Sequence, residues 1–141
     1  MDAIILDLRG SVESNDFATA AEFAKRFVPK GAPLFALRGP GAKPVRDFVS
    51  DQVPLYSGLI VLLVDGETAG ASEMLAAVLR LHNHAITIGQ RTAGRAVDYS
   101  DLSLPSGRIL RVAVAEAILP DEHSDTRMAS RPICQWRCRP Q

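Results

Sequence analysis

Apolar and polar positions along the chain switch between two periods, and each switch marks an element. The opening run Ala3-Ile-Ile-Leu-Asp-Leu8 is almost wholly apolar, the pattern of a strand buried on both faces of a parallel sheet. A 3.6-residue period follows. Ala20, Phe23, Ala24 and Phe27 fall on one face of a helix over residues 17–28, which Asn15 or Asp16 can cap and which Pro29 and Gly31 end. Residues 33–38 read as a second strand, and Gly39-Pro40-Gly41, Pro44 and Pro54 mark the stretch after it as loop. The strongest strand is Leu59-Ile-Val-Leu-Leu-Val64, expected at the centre of a sheet and buried on both faces. After Asp65-Gly66 the helical period returns with Met74, Leu75, Val78 and Leu79, so residues 66–70 form a tight turn into a helix running from Ala71 to about Leu81. Residues 85–88, 101–104 and 109–117 read as further strands, the last two joined by Pro105-Ser106-Gly107.

Strands alternating with helices and then a hairpin predict an α/β layered fold with right-handed crossovers and a mostly parallel central sheet. No periodicity survives beyond Pro120. The chain therefore divides into one core domain over residues 1–120 and a polar tail, rich in Arg and Pro, over residues 121–141. Sixteen basic residues balance sixteen acidic ones, so no long-range field draws the molecule to nucleic acid or to an anionic membrane. The longest apolar run, residues 58–64, is far shorter than the roughly 20 residues that cross a bilayer, and no signal peptide is read at the N-terminus; as written, the chain is expected in the cytoplasm. Cys134 and Cys138 lie in the tail as surface thiols. No spacing joins them with His82, His84 and His123 into a metal set, and no metal or cofactor is expected. Trp136 either packs back on the domain or serves a partner.

Chemistry concentrates at the turn Glu67-Thr68-Ala69-Gly70-Ala71-Ser72-Glu73, because the first amides of a helix have no intrahelical acceptor and face the turn. This strand, turn and helix resemble the segment that carries the nucleophile in the C-terminal processing (tail-specific) serine peptidases, whose turn reads T-A-S-A-S-E. Three more segments match in order. Ile5-Leu-Asp-Leu-Arg-Gly10 is similar to the family strand ending in D-L-R. Ile88-Gly-Gln-Arg-Thr-Ala-Gly-Arg95 is similar to I-G-x-x-T-F-G-K, whose lysine is the general base. Residues 104–112 and 117–120 are similar to the family hairpin and to the strand that ends in Pro. The resemblance spans residues 3–120 and implies a ClpP/crotonase-like layered fold, proteolysis as the family activity, and an unfolded protein C-terminus or other peptide as partner. Full-length members are often exported and carry an N-terminal part and a PDZ-like domain that this sequence lacks, so a remnant of a longer, active protein is one possibility.

The departures fall on the chemistry. The resemblance places Gly70 at the nucleophile and Arg95 at the base, 25 residues apart as in the family. Glycine has no oxygen to attack a carbonyl, and a guanidinium stays protonated near neutral pH and offers no lone pair. Ser72 is the alternative nucleophile, but two residues further along a helix it points away from the Gly70 side; with Glu73 it reads as a helix-start residue. Ala71 and Gly10 are the candidate oxyanion amides, and Glu13 places a negative charge in the loop that should supply the second donor. Asp7 is expected to find a partner such as Arg9 or a backbone amide. His82 and His84 are expected to serve the C-terminal end of the second helix, and Phe23, Phe27 and Met74 the core. Two functions result: an inactive peptidase that retains a peptide groove, or a binding module for a hydrophobic small molecule of retinoid or fatty-acid type, as in retinoid-binding relatives of this fold. A closed apolar cavity would separate the second from the first.

Overall fold

The computed structural model describes residues 2–11, 15–83 and 85–120, so Glu13, His84, His123, Cys134, Cys138, Trp136 and the whole segment 121–141 lie outside the described residues. Two sheets and two helices share one core. The first sheet is parallel, in the order β1 (Ala3–Asp7), β4 (Leu59–Val64), β5 (Ile86–Gly89). Its central strand is the strongest apolar run, paired with β1 from Ala3 opposite Leu59 to Asp7 opposite Leu63, and with β5 from Val61 to Val64. Ile60, Leu62 and Val64 are buried, while Val61 and Leu63 are half-buried and Leu59 is exposed. One face of β4 is thus sealed and the other only partly covered. β1 departs further from expectation. It is an edge strand whose Ile4 and Leu6 pack on the core while Ile5 is 65% exposed and Asp7 faces water. The apolar run reports strand propensity, but its burial depends on what covers the second face, which is not written within the strand.

The second sheet is antiparallel, in the order β3 (Pro44–Val49), β2 (Pro33–Arg38), β7 (Ile109–Ile118), β6 (Val97–Ser103). The parallel sheet therefore holds three strands and the hairpin belongs to a four-stranded partner sheet. β3 lies in the stretch whose Gly and Pro content predicts loop. It is an edge strand, where Pro44 at the first position removes no needed ladder donor, and only Phe48 is buried, 4.6 Å between ring centroids from Phe35. A 3₁₀ turn at Pro40–Ala42, with Gly41 at φ 69° and Ala42 at φ 59°, reverses the chain between β2 and β3. β6 begins four residues before the expected Asp101, because Val97-Asp-Tyr-Ser100 contains no apolar run and buries no side chain.

Helix α1 (Phe17–Ala24) is capped by Asp16, whose carboxylate accepts from the Thr19 amide at 3.0 Å. It ends earlier than the periodicity predicts: the Phe27 amide bonds the Ala24 carbonyl three residues back, a tightening of the last turn that still buries Phe27 and Val28. Helix α2 (Ala71–Asn83) buries Met74, Leu75, Val78 and Leu79 as expected. Among the described residues no helix is long and apolar enough to cross a membrane.

Candidate functional site

The site grows out of the turn between β4 and α2. Asp65 follows the last residue of β4, and its carboxylate accepts the amides of Glu67 (3.1 Å) and Thr68 (3.0 Å) and the Thr68 hydroxyl (3.1 Å), which folds residues 65–68 on themselves. The Thr68 hydroxyl also reaches the Leu8 carbonyl at 2.9 Å and ties this turn to the end of β1. Across that tie the Gly10 amide donates to both Asp65 oxygens, at 3.2 and 3.1 Å. Burial pushes the Asp65 carboxyl upward, but the amides and hydroxyl aimed at it outweigh this and hold it below the ordinary carboxylate range.

Gly70 lies at the hinge into α2 with φ at 61°, a left-handed conformation that glycine adopts without steric cost. Its carbonyl accepts the first helix bond, from Met74 at 3.1 Å, so the Ala71 amide stands in the first turn with no ladder acceptor. The Gly70 amide donates to the Arg95 carbonyl at 3.1 Å, and the Ala93 amide to the Thr68 carbonyl at 3.0 Å. Residues 68–70 and 93–95 thus lie side by side, and the 25-residue interval closes into direct backbone contact. Arg95 itself is exposed.

What holds the second segment there is Glu73, a residue read from the sequence only as a favourable helix-start charge. Its side chain is fully buried, and its carboxylate accepts from the Gly94 amide (2.9 Å), the Arg95 amide (2.9 Å) and the Thr92 hydroxyl. A buried carboxylate with several donors is stable only as a bonded unit, so Glu73 fixes the backbone on which Arg95 is carried. The available signal was an acid at the same helical face as Met74 and Ala77, three residues beyond Gly70.

The remaining candidates separate from this centre. Ser72 lines a cleft of about 240 Å3 with Asp16 and with Thr19, Ala20 and Phe23 of α1, and Arg95 is not among the residues that line it. His82 sits at the far end of α2, roughly 16–18 Å along the helix from Gly70. Its Nε2 donates to the Pro33 carbonyl at 2.8 Å, so it anchors the helix end to β2 and does not reach the turn. Asp7 does find Arg9, through Nε at 2.8 Å and the second nitrogen at 2.6 Å. The pair is exposed and not buried as the strand pattern suggested, and the Arg9 guanidinium and amide hold the Asp7 carboxyl at about 2.

Residues 1–129 match Peptidase family S41. The chain belongs to peptidase family S41. It is 28% identical over 121 residues to carboxyl-terminal-processing peptidase 1 of the Arabidopsis thaliana chloroplast, covering 86% of this chain and 24% of that protein. It is also 28% identical over 131 residues to a carboxyl-terminal-processing protease of Picosynechococcus, covering 93% of this chain and 31% of that one. The structure superposes on the photosystem II D1 C-terminal processing protease with a TM-score of 0.70 at 25% identity, over 84% of this chain and 30% of the other. The chain therefore spans about a quarter to a third of the length of these proteins, and its two-sheet α/β architecture is that of the matching part of the D1 processing protease.

Proposed function

We propose that this S41 core binds an extended peptide and does not cleave it. The observation that carries the reading is the contact between Gly70 and Arg95: the two positions that the family motif assigns to nucleophile and base are neighbours in space, and neither side chain can do that chemistry. Acyl transfer needs an attacking oxygen, a group to take its proton, and donors for the oxyanion. Gly70 supplies no oxygen. The Arg95 guanidinium offers no lone pair. Of the two expected oxyanion amides, Ala71 remains in an open first turn but Gly10 is engaged by Asp65. On this reading residues 1–120 are the binding core.

The hydrophobic-ligand reading is weaker. The apolar-walled cavity of about 550 Å3 lies on the antiparallel sheet, between the Pro40 turn and Ala113–Ile118, and it opens widely to solvent instead of closing around a ligand. The test has two arms. Incubation with unfolded protein and with a fluorophosphonate probe gives neither cleavage nor labelling, and fluorescence anisotropy with labelled extended peptides gives saturable binding. Labelling at Ser72, or displacement of a bound fatty-acid probe without any peptide binding, overturns the proposal.

A further inference from the structure

We propose that the outer edge of β6 is where the peptide adds, as a fifth strand of the antiparallel sheet; this rests on the peptide-binding reading and names its site. Among the described residues β6 is the last strand of its sheet, paired with β7 on one side. Two hydrogen bonds fix which way its backbone faces. The Leu104 amide donates inward to the Arg108 carbonyl at 2.8 Å, and the Tyr99 carbonyl points outward, where it accepts from the Asn15 side-chain amide at 3.3 Å. Alternation then turns the N–H and C=O of Asp101 and Ser103 outward as well, and no described residue bonds them. An amide already docks on the first outward carbonyl of this edge, and the next two residues repeat the offer at strand spacing.

The chemistry of the occupant follows from the two faces of the β6–β7 ribbon. β2 pairs with β7 at Glu116–Ile118, so, among the described residues, 99–113 project as two strands with no third. Leu102 pairs with Leu110 and Ser100 with Val112 on one face; Asp101 pairs with Arg111 on the other, Nε to carboxylate at 3.0 Å. Leu102 and Leu110 are 51% and 47% exposed. A two-stranded ribbon is marginal in water, and a third strand with a matching face is what stabilises it. The partner is therefore an extended peptide that alternates apolar side chains, set beside Leu102, with uncharged polar or basic ones set beside Asp101. β6 starts at Val97, two residues past Arg95, whose carbonyl accepts the Gly70 amide, so the strand that offers this edge continues from the Gly70 contact.

The experiment measures anisotropy of a fluorescein-labelled octapeptide alternating valine with threonine and lysine, against the full chain and against Ser103→Pro. Proline at residue 103 removes an outward N–H and fills the edge, yet takes no bond from the β7 ladder. Binding is expected to weaken by about tenfold or more, with an unchanged circular dichroism spectrum. Independently of any variant, hydrogen exchange at the Asp101 and Ser103 amides of the wild-type chain should slow when the peptide is added. If the wild type binds the peptide but Ser103→Pro binds equally and these amides exchange unchanged, the β6 edge is wrong while the binding reading stands. If the wild type binds no extended peptide at all, that reading itself fails.

Discussion

At Gly70 the backbone sits at φ 61°, where a β-carbon is strained, so placing a serine hydroxyl there has a structural cost before any chemistry is considered. Gly70→Ser is expected to lower stability by about 1–2 kcal/mol in urea unfolding. The single variant should stay unlabelled by a fluorophosphonate, because the Arg95 guanidinium offers no lone pair to take the hydroxyl proton. The double variant Gly70→Ser, Arg95→Lys should label slowly without efficient turnover: the Gly10 amide is held by Asp65, and a missing oxyanion donor costs roughly 2.7–4 kcal/mol in the transition state. Efficient peptide turnover would show that the Gly10 loop opens during catalysis. Glu73 allows a second test on the same segment. Glu73→Ala leaves the buried Thr92 hydroxyl and the Gly94 and Arg95 amides without their acceptor, and a loss of about 3 kcal/mol or more is expected in the same measurement. A loss below about 0.5 kcal/mol would mean that residues 92–95 hold their place without the carboxylate.

Among the elements, β5 depends on a residue that its own pattern does not single out. Gly89 has φ 130°, and a β-carbon there would lie inside the Val64 carbonyl at the end of the β4–β5 ladder. Gly89→Ala should therefore cost about 3 kcal/mol and shift the thermal midpoint down by several degrees, read by calorimetry. An unchanged midpoint would show that the two strands separate at this end without penalty. The elements also differ in how far the sequence disclosed them. β2 and β4 match their apolar runs residue for residue, and α2 follows its stripe, since each has an unbroken apolar run or a periodic face. β3 and the first half of β6 were not legible. Both are edge strands, and with one buried side chain in β3 and none in β6 they leave almost no period to read.

For the molecule as a whole, acid stability should be governed by carboxylates held below their ordinary value of 3.8: Asp7 by Arg9, Asp16 by the Thr19 hydroxyl and amide, Asp101 by Arg111, and Asp65 by the amides and hydroxyl that outweigh its burial. A carboxyl whose folded value is depressed contributes stability that is fully present above the unfolded value and is lost as pH falls through the folded one. Stability measured by urea unfolding should therefore be flat at neutral pH, decline below about pH 4, and keep falling toward pH 2 as Asp7 protonates. Asp7→Asn and Asp65→Asn should each flatten that decline; equal slopes in wild type and both variants would remove these groups as its cause.

The sequence alone determined the order of the elements that have a strong period, the tight turn at Gly66–Gly70, the lack of a hydroxyl at Gly70 and of a deprotonatable amine at Arg95, because period and side-chain chemistry are local properties. Only the tertiary structure decided that β1 and β6 are the end strands of their sheets among the described residues, that Gly10 gives its amide to Asp65, and that Glu73 is a buried clamp for residues 92–95. The physical reason is the same in each case. Burial of a strand face and satisfaction of a backbone amide depend on which groups from distant parts of the chain arrive beside them, and a 19-residue gap from Glu73 to Thr92 or a 55-residue gap from Gly10 to Asp65 leaves no periodic trace in the sequence between.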